Sequence, residues 1–366
     1  MTPTGDRLVF VSGGRANTVK PGGGGAKAYS PSSRIVVDRQ ELSRRKFGEL
    51  ARVLGEMFYH PQMKGLDWDG LTEQYMVLAG EARTSNEFNW VANRFLGELN
   101  ASHLGVRAPT SSASIRQSKG QLGAELTRVE IDGRPGYRID GLLPESPAAR
   151  SEPPFELGDV ITAIEFEPLE GSDTVEGRLA GFVGREVAVT AMRLDENGDA
   201  AEFTIFVEPV SWGAIRSLAY EDYQERARRA VDEMSGGRLG YIHIQGMNQP
   251  SLDEFERDLF AAAEGRDGLI IDVRNNGGGW TADRLLASIT TRPHAYTSPR
   301  GMDPSITNGY PQDRLFIQRY ALPMSMLCNE KSFSNAEIVS HAFKNLDRGT
   351  LVGQQTYGGV ISTGGF

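Results

Sequence analysis

Apolar positions along the chain change their spacing several times, and each spacing predicts a different kind of element. Residues 41–105 carry apolar residues at helical spacing, in Glu49–Phe58, Trp68–Leu71 and Glu87–Leu96. Thr84-Ser85-Asn86-Glu87 is a helix start signal, and Asn100–Gly105 closes the helical stretch. From about 122 to 210 strand and turn signals take over. Tyr137–Asp140, Val160–Ile164, Val187–Met192 and Ala200–Val207 read as strands, with an Asn197-Gly198 hairpin turn between the last two. Trp212–Ser235 is a charged helix in which Arg226, Arg228 and Arg229 read as a solvated face.

From 238 onward strand and helix alternate. Leu239–Ile244 leads to a helix over 251–263, Gly268–Val273 to a helix over 281–290, and Leu327-Cys328 to a helix over 335–344. Leu351-Val352-Gly353 opens a further strand. That alternation predicts an α/β domain with a largely parallel sheet, whose chemistry belongs in the loops after the strand ends. At the other end, residues 1–40 hold two predicted short strands, Leu8–Val11 and Arg34–Val37. The loop between them contains Pro21-Gly22-Gly23-Gly24-Gly25. Two such strands cannot form a core alone.

Composition narrows the function classes. The 366 residues predict two or three domains. A formal net charge of −9 argues against nucleic-acid or anionic-membrane partners. Cys328 is the one cysteine, so an internal disulfide and a multi-cysteine zinc site are both excluded. It ends an apolar run and reads as a structural thiol. No signal peptide or membrane-length apolar run is visible, which makes a cytoplasmic location the default. No metal or organic cofactor is implied.

Ser334, in Lys331-Ser332-Phe333-Ser334-Asn335-Ala336-Glu337, stands where a strand-to-helix turn is predicted. Such a serine can be a plain N-cap or a nucleophile presented beside backbone N–H groups. Asp272-Val273-Arg274-Asn275-Asn276-Gly277-Gly278-Gly279 ends another predicted strand. Its glycines leave N–H groups uncovered for an oxyanion, or they form a flexible turn. No Gly-Lys-Ser/Thr follows, so it is not a phosphate loop. Gly141–Ala149 followed by Glu156-Leu157-Gly158-Asp159-Val160-Ile161 resembles a PDZ domain, a module that adds an extended peptide to a sheet edge.

Taken together these segments resemble the tricorn protease family, cytosolic relatives of the tail-specific (carboxyl-terminal processing) serine peptidases. The matching positions are Ser102-His103, residues 122–210, Gly277-Gly278-Gly279 and the Ser332–Glu337 motif. The resemblance implies an α/β plus β multidomain chain. Residues 1–40 would be strands left from a preceding propeller, 41–107 a helical core segment and 120–210 a PDZ-like β-domain. Residues 211–366 would be an α/β catalytic core segment of the crotonase/ClpP-like kind, incomplete at its C-terminus. It implies a serine peptidase acting on oligopeptides through an acyl-enzyme, with Ser334 as nucleophile, His103 as general base and Ser102 orienting the charge relay. The oxyanion hole would come from the N–H groups of Asn335 and Gly278, with Gly277–Gly279 aligning substrate. Peptide termini on the PDZ-like domain and a homo-oligomer, a hexamer, are the implied partners.

Two departures matter. The tail-specific relatives use a lysine in a Gly-x-x-Thr-x-Gly-Lys context. Here the matching stretch is Gly353-Gln354-Gln355-Thr356-Tyr357-Gly358-Gly359, so a glycine stands at the lysine position and the base falls to His103. The tricorn family also completes its relay with a glutamate beyond the nucleophile. No glutamate follows Glu337, so the sequence reads as a fragment. The competing readings are a non-catalytic PDZ-type peptide binder, a fragment inactive by itself, and an unrelated α/β hydrolase, the last weakened by the lack of Gly-x-Ser-x-Gly around Ser334. His60, His243, His294 and His341 read as structural.

Overall fold

The computed structural model describes residues 1–29, 36–107, 117–131, 133–194, 200–291, 300, 301, 303, 319–361 and 364. The chain divides into two compact units, Met1–Pro109 and Thr110–Phe366.

The first unit opens with an antiparallel meander of β1 (Leu8–Ser12), β2 (Arg15–Val19) and β3 (Lys27–Tyr29). The chain reverses between β1 and β2 through Gly13-Gly14, whose φ of 56° and 74° suits a tight hairpin. Only β1 was predicted. β2 carries Arg15, Asn17 and Thr18, and this polarity hid it. Val36 and Val37 lie in no strand, and Arg34 and Ile35 fall outside the described residues.

Three helices follow, α1 (Arg39–Met57), α2 (Trp68–Glu81) and α3 (Ser85–Glu98). Each starts where a side-chain oxygen takes a free N–H. Asp38 accepts from Gln40 and Glu41, Asp67 from Gly70, and Thr84 from Glu87. Their apolar stripes meet at Phe95, whose ring lies 4.9 Å from Phe47, 4.4 Å from Trp68 and 5.5 Å from Tyr75. The Asn93 side chain then holds both the N–H and the carbonyl of Val106, each at 2.9 Å. That clamp anchors the segment after α3, which includes Ser102 and His103.

The second unit begins with β4 (Ala124–Ile131), β5 (Arg134–Leu142), the short α4 (Pro147–Arg150), β6 (Val160–Ile164) and β7 (Glu167–Pro168). The short α5 (Val175–Arg178), β8 (Val187–Leu194) and β9 (Ala200–Val207) complete this part. The antiparallel sheet runs β4-β5-β6-β8-β9, with β7 paired to β6, and β4 is an edge. β8 and β9 pair with Leu194 opposite Ala200, while the Asn197-Gly198 turn itself lies outside the described residues. Asp159, buried, ties the sheet to the preceding loop: it accepts two 2.7 Å hydrogen bonds from Arg193 and one from Glu156 N–H.

The long helix α6 (Trp212–Ser235) leads to the α/β part. As read from the sequence, its arginines pair along the solvated face, Arg226 with Asp222 and Arg229 with Glu225. β10 (Leu239–His243), α7 (Gln249–Ala261), β11 (Gly268–Asp272), α8 (Ala282–Thr290), β12 (Met324–Cys328), α9 (Asn335–Asn345) and β13 (Thr350–Gly353) follow. All four strands are parallel in the order β10-β11-β12-β13, so their C-terminal ends share one edge. Phe255, Leu259, Ile271, Met326 and Phe343 fill the core beneath.

At that edge lies a polar cluster that periodicity did not reveal. Asp272 is fully buried and accepts from the Arg274 guanidinium (2.6 Å), the Tyr241 hydroxyl (2.7 Å) and Arg274 N–H (2.8 Å). Burial pushes its carboxyl up, but these donors outweigh burial and hold it below the ordinary carboxylate range. Beside it, His243 meets the Arg274 carbonyl through Nε2 at 3.0 Å and the Tyr220 hydroxyl through Nδ1 at 2.9 Å. A carbonyl only accepts, so Nε2 carries the proton and Tyr220 donates to Nδ1. Burial, which lowers the His243 pKa, favours the same neutral ring.

This cluster sets an acid limit on stability. A carboxyl whose folded pKa is depressed contributes stability above its unfolded pKa and loses it as pH falls through the folded value. Asp272→Asn is expected to cost about 2–4 kcal/mol at neutral pH by leaving Arg274 without its anion. The variant should also lose less further stability on acidification than the parent. Urea unfolding at neutral and acid pH checks both, and parallel acid profiles would remove Asp272 from the explanation.

Candidate functional site

Because β11 and β12 are parallel neighbours, with Asp272 opposite Leu327, the loops that leave them run side by side. They are stitched together. Ser332 Oγ donates to the Val273 carbonyl at 2.8 Å and Phe333 N–H to the Asn276 carbonyl at 2.9 Å. Asn329 and Asn275 exchange hydrogen bonds at 3.0 and 3.1 Å. Asn276 is fully buried: its amide donates to the Ile244 carbonyl and its Oδ1 accepts Gly278 N–H, both at 2.8 Å.

Ser334 sits where these loops meet. Its φ of 55° and ψ of −113° differ from the extended backbone of an ordinary N-cap, such as Thr84 at −124° and 159°. Holding a non-glycine residue there costs about 1–3 kcal/mol, which the surroundings must offset. Glycine is required opposite it. A Cβ on Gly278 would lie 2.6 Å from the Phe333 carbonyl oxygen, 2.8 Å from Ser334 Cβ and 2.9 Å from Asn335 N. A Cβ on Gly279 would lie 1.9 Å from the Met247 carbonyl oxygen, so backbone runs against backbone there too. Gly277 is exposed and has open space around it. Asn335 is the first residue of α9, where N–H groups have no partner inside the helix, and its side chain accepts Ala282 N–H at the start of α8.

One turn into α9, the Glu337 carboxylate is nearly buried. It accepts Ser334 N–H (2.8 Å), Gly359 N–H (2.9 Å) and Gly358 N–H (2.5 Å). Burial alone would raise its pKa, yet the hydrogen bonds from Gly359, Gly358 and Ser334 hold it below the ordinary range. The segment after β13 is thereby laid over the Ser334 turn. Tyr357 N–H reaches the Ser332 carbonyl and the Tyr357 ring stands edge-on to Phe333 at 4.8 Å. At Gly359, a Cβ would lie 2.2 Å from the Phe333 ring, so the position has no room for a side chain while Phe333 stands where it does.

The structure thus brings together Ser334, Asn335 and Gly277–Gly279 in the second unit. Ser102 and His103 belong to the first, in the turn after α3, where His103 is exposed with φ 61°. His60 accepts Lys64 N–H and His341 faces Asn345 on its own helix. His294 lies outside the described residues. Cys328 is buried, and burial pushes its thiol pKa up. Asn276, Asn329 and Glu337 are contributions that sequence reasoning did not assign. The capping register Ser334-x-x-Glu337 was the visible signal for the last, whereas nothing in the sequence marks Asn276 as buried.

A second feature of this unit is a groove of about 630 Å³ along the free edge β4. Leu122, Leu126, Leu142, Val175 and Leu179 line it, and Ile215 of α6 closes one side. Among the described residues no helix is long and apolar enough to cross a membrane.

Residues 41–97 match the tricorn protease C1 domain and residues 238–365 match peptidase family S41. Tricorn protease homolog 1 of Streptomyces coelicolor is 30% identical over 98% of this chain and 33% of its own length. The tricorn protease of Thermoplasma volcanium is 31% identical over 79% of this chain and 27% of its own length. The crystal structure of the tricorn protease superposes with a TM-score of 0.64 at 23% identity, covering 95% of this chain and 33% of that one, which shows a shared fold. The chain spans about a third of the length of the curated relatives it matches. The C1 and S41 matches fall on different units of one chain, and the homologues align across both; the chain belongs to the tricorn protease family.

Proposed function

We propose that this chain carries the nucleophile of a serine peptidase, with Ser334 attacking the carbonyl carbon of a peptide bond. The observation that carries this reading is the Ser334 turn itself. A serine held at φ 55° and ψ −113°, facing a glycine that tolerates no Cβ, is more than a helix cap. As Ser334 Oγ bonds to carbon, His103 takes its proton and returns it to the leaving amine, and water then hydrolyses the acyl-enzyme. Ser102 orients the relay. The developing oxyanion is met by Asn335 N–H at the start of α9 and by Gly278 N–H, which donates to Asn276 Oδ1 at 2.8 Å and has to be shared with the oxyanion when it forms.

The substrates are oligopeptides, in keeping with relatives named as proteases. Residues 120–210 act as a PDZ-like module. An extended peptide adds to β4 and its apolar side chains enter the groove beneath. The protein is proposed to work in the cytoplasm as a homo-oligomer. The groove also favours a second reading, a peptide binder without turnover.

Ser334→Ala and His103→Ala are each expected to lower peptide turnover by roughly 10³-fold or more with circular dichroism unchanged. A fluorophosphonate probe should label Ser334 in the parent. Peptide binding that persists without labelling or turnover in the parent would favour the binder instead.

Gly278→Ala tests the packing. The added methyl must displace the Phe333 carbonyl or Ser334 itself, so labelling should slow by about 10²-fold or more while the rest of the sheet stays folded. An unaffected labelling rate would show that Gly278 does not shape the nucleophile.

A further inference from the structure

We propose that Glu337 is a positioning residue whose ionised carboxylate pins the nucleophile turn to the segment after β13. The inference rests on Ser334 being the nucleophile and goes beyond it. In a serine peptidase site, a carboxylate three residues from the nucleophile invites the role of base or charge-relay acid. Its surroundings here exclude that role. Both oxygens are occupied by backbone donors, Oε1 by Gly358 N–H, and Oε2 by Gly359 and Ser334 N–H. A carboxylate that accepts several N–H bonds is a weak proton acceptor and a strong anchor.

Each donor does something specific. Turning Ser334 N–H toward Glu337 supports the left-handed backbone that a serine would otherwise leave, so the carboxylate helps offset the strain at the turn. Binding Gly358 and Gly359 lays a stretch outside any helix or strand over Phe333, where Gly359 fits only because it lacks a Cβ. Glu337 therefore fixes two things at once, the direction of Ser334 and the wall beside it. The amide of a glutamine has the same shape but presents an NH₂ to N–H groups that need an acceptor. The pin needs two acceptor oxygens, not a glutamate-sized side chain.

The consequence is kinetic. In Glu337→Gln, fluorophosphonate labelling of Ser334 per folded molecule should slow by about 10- to 100-fold, and kcat for a peptide should fall with KM nearly unchanged. A role confined to folding would lower the amount of labelled protein but leave the rate constant of the folded fraction intact, and that result would overturn the proposal. A second measurement needs no variant. In the unaltered protein the amides of Gly358, Gly359 and Ser334 should be protected from hydrogen exchange, and exchange of Gly358 and Gly359 at open-loop rates would overturn it equally. The underlying assignment fails separately: if the probe labels the Ser334→Ala variant as well as the parent, Ser334 is not the nucleophile. If it labels only the parent and Glu337→Gln reacts equally fast, the positioning role alone is lost.

Discussion

Asn276 is the joint on which the candidate site depends. A parallel sheet delivers two loops to one edge but does not fix their distance or relative tilt. Buried between them, Asn276 engages the Ile244 carbonyl, Gly278 N–H, Phe333 N–H and the Val273 carbonyl. One residue thereby joins the end of β10, the glycine loop and the serine turn. Buried amides left without partners cost several kcal/mol in an apolar setting, so once these bonds form the three segments are held as a unit. The close approach of Gly278 to Ser334 follows from this joint, and the absence of a side chain at Gly278 is what permits it.

Much of the architecture was legible because it rests on period and punctuation. Helical spacing with Thr84 as a start signal gave α3, and the apolar runs Gly268–Val273 and Leu327-Cys328 gave adjacent strands of a parallel sheet. What stayed hidden was polar. β2 escaped notice because its side chains are mostly hydrophilic, and β4 because the acidic and basic residues of Glu125–Glu130 obscure its alternation. The site divides in the same way. Glycines and a serine at strand ends announce a loop that can do chemistry. The capping register marks Glu337, but what it and the buried Asn276 hold in place is known only through partners distant in sequence. Gly358 and Gly359, for example, lie more than twenty residues beyond Glu337.

The same partners narrow the choice of base. Glu337 is saturated by N–H donors, and Gly359 lies against Phe333 with no space for a side chain that could serve as base. His341 is committed to Asn345 on the outer side of α9, and His243 is a neutral ring with Nδ1 facing Tyr220 and Nε2 facing the Arg274 carbonyl. The Glu337, His341 and His243 acceptors are thus spent on structure. A serine hydroxyl is a poor nucleophile unless something takes its proton. If Ser334 reacts, its proton has to go to an acceptor other than these.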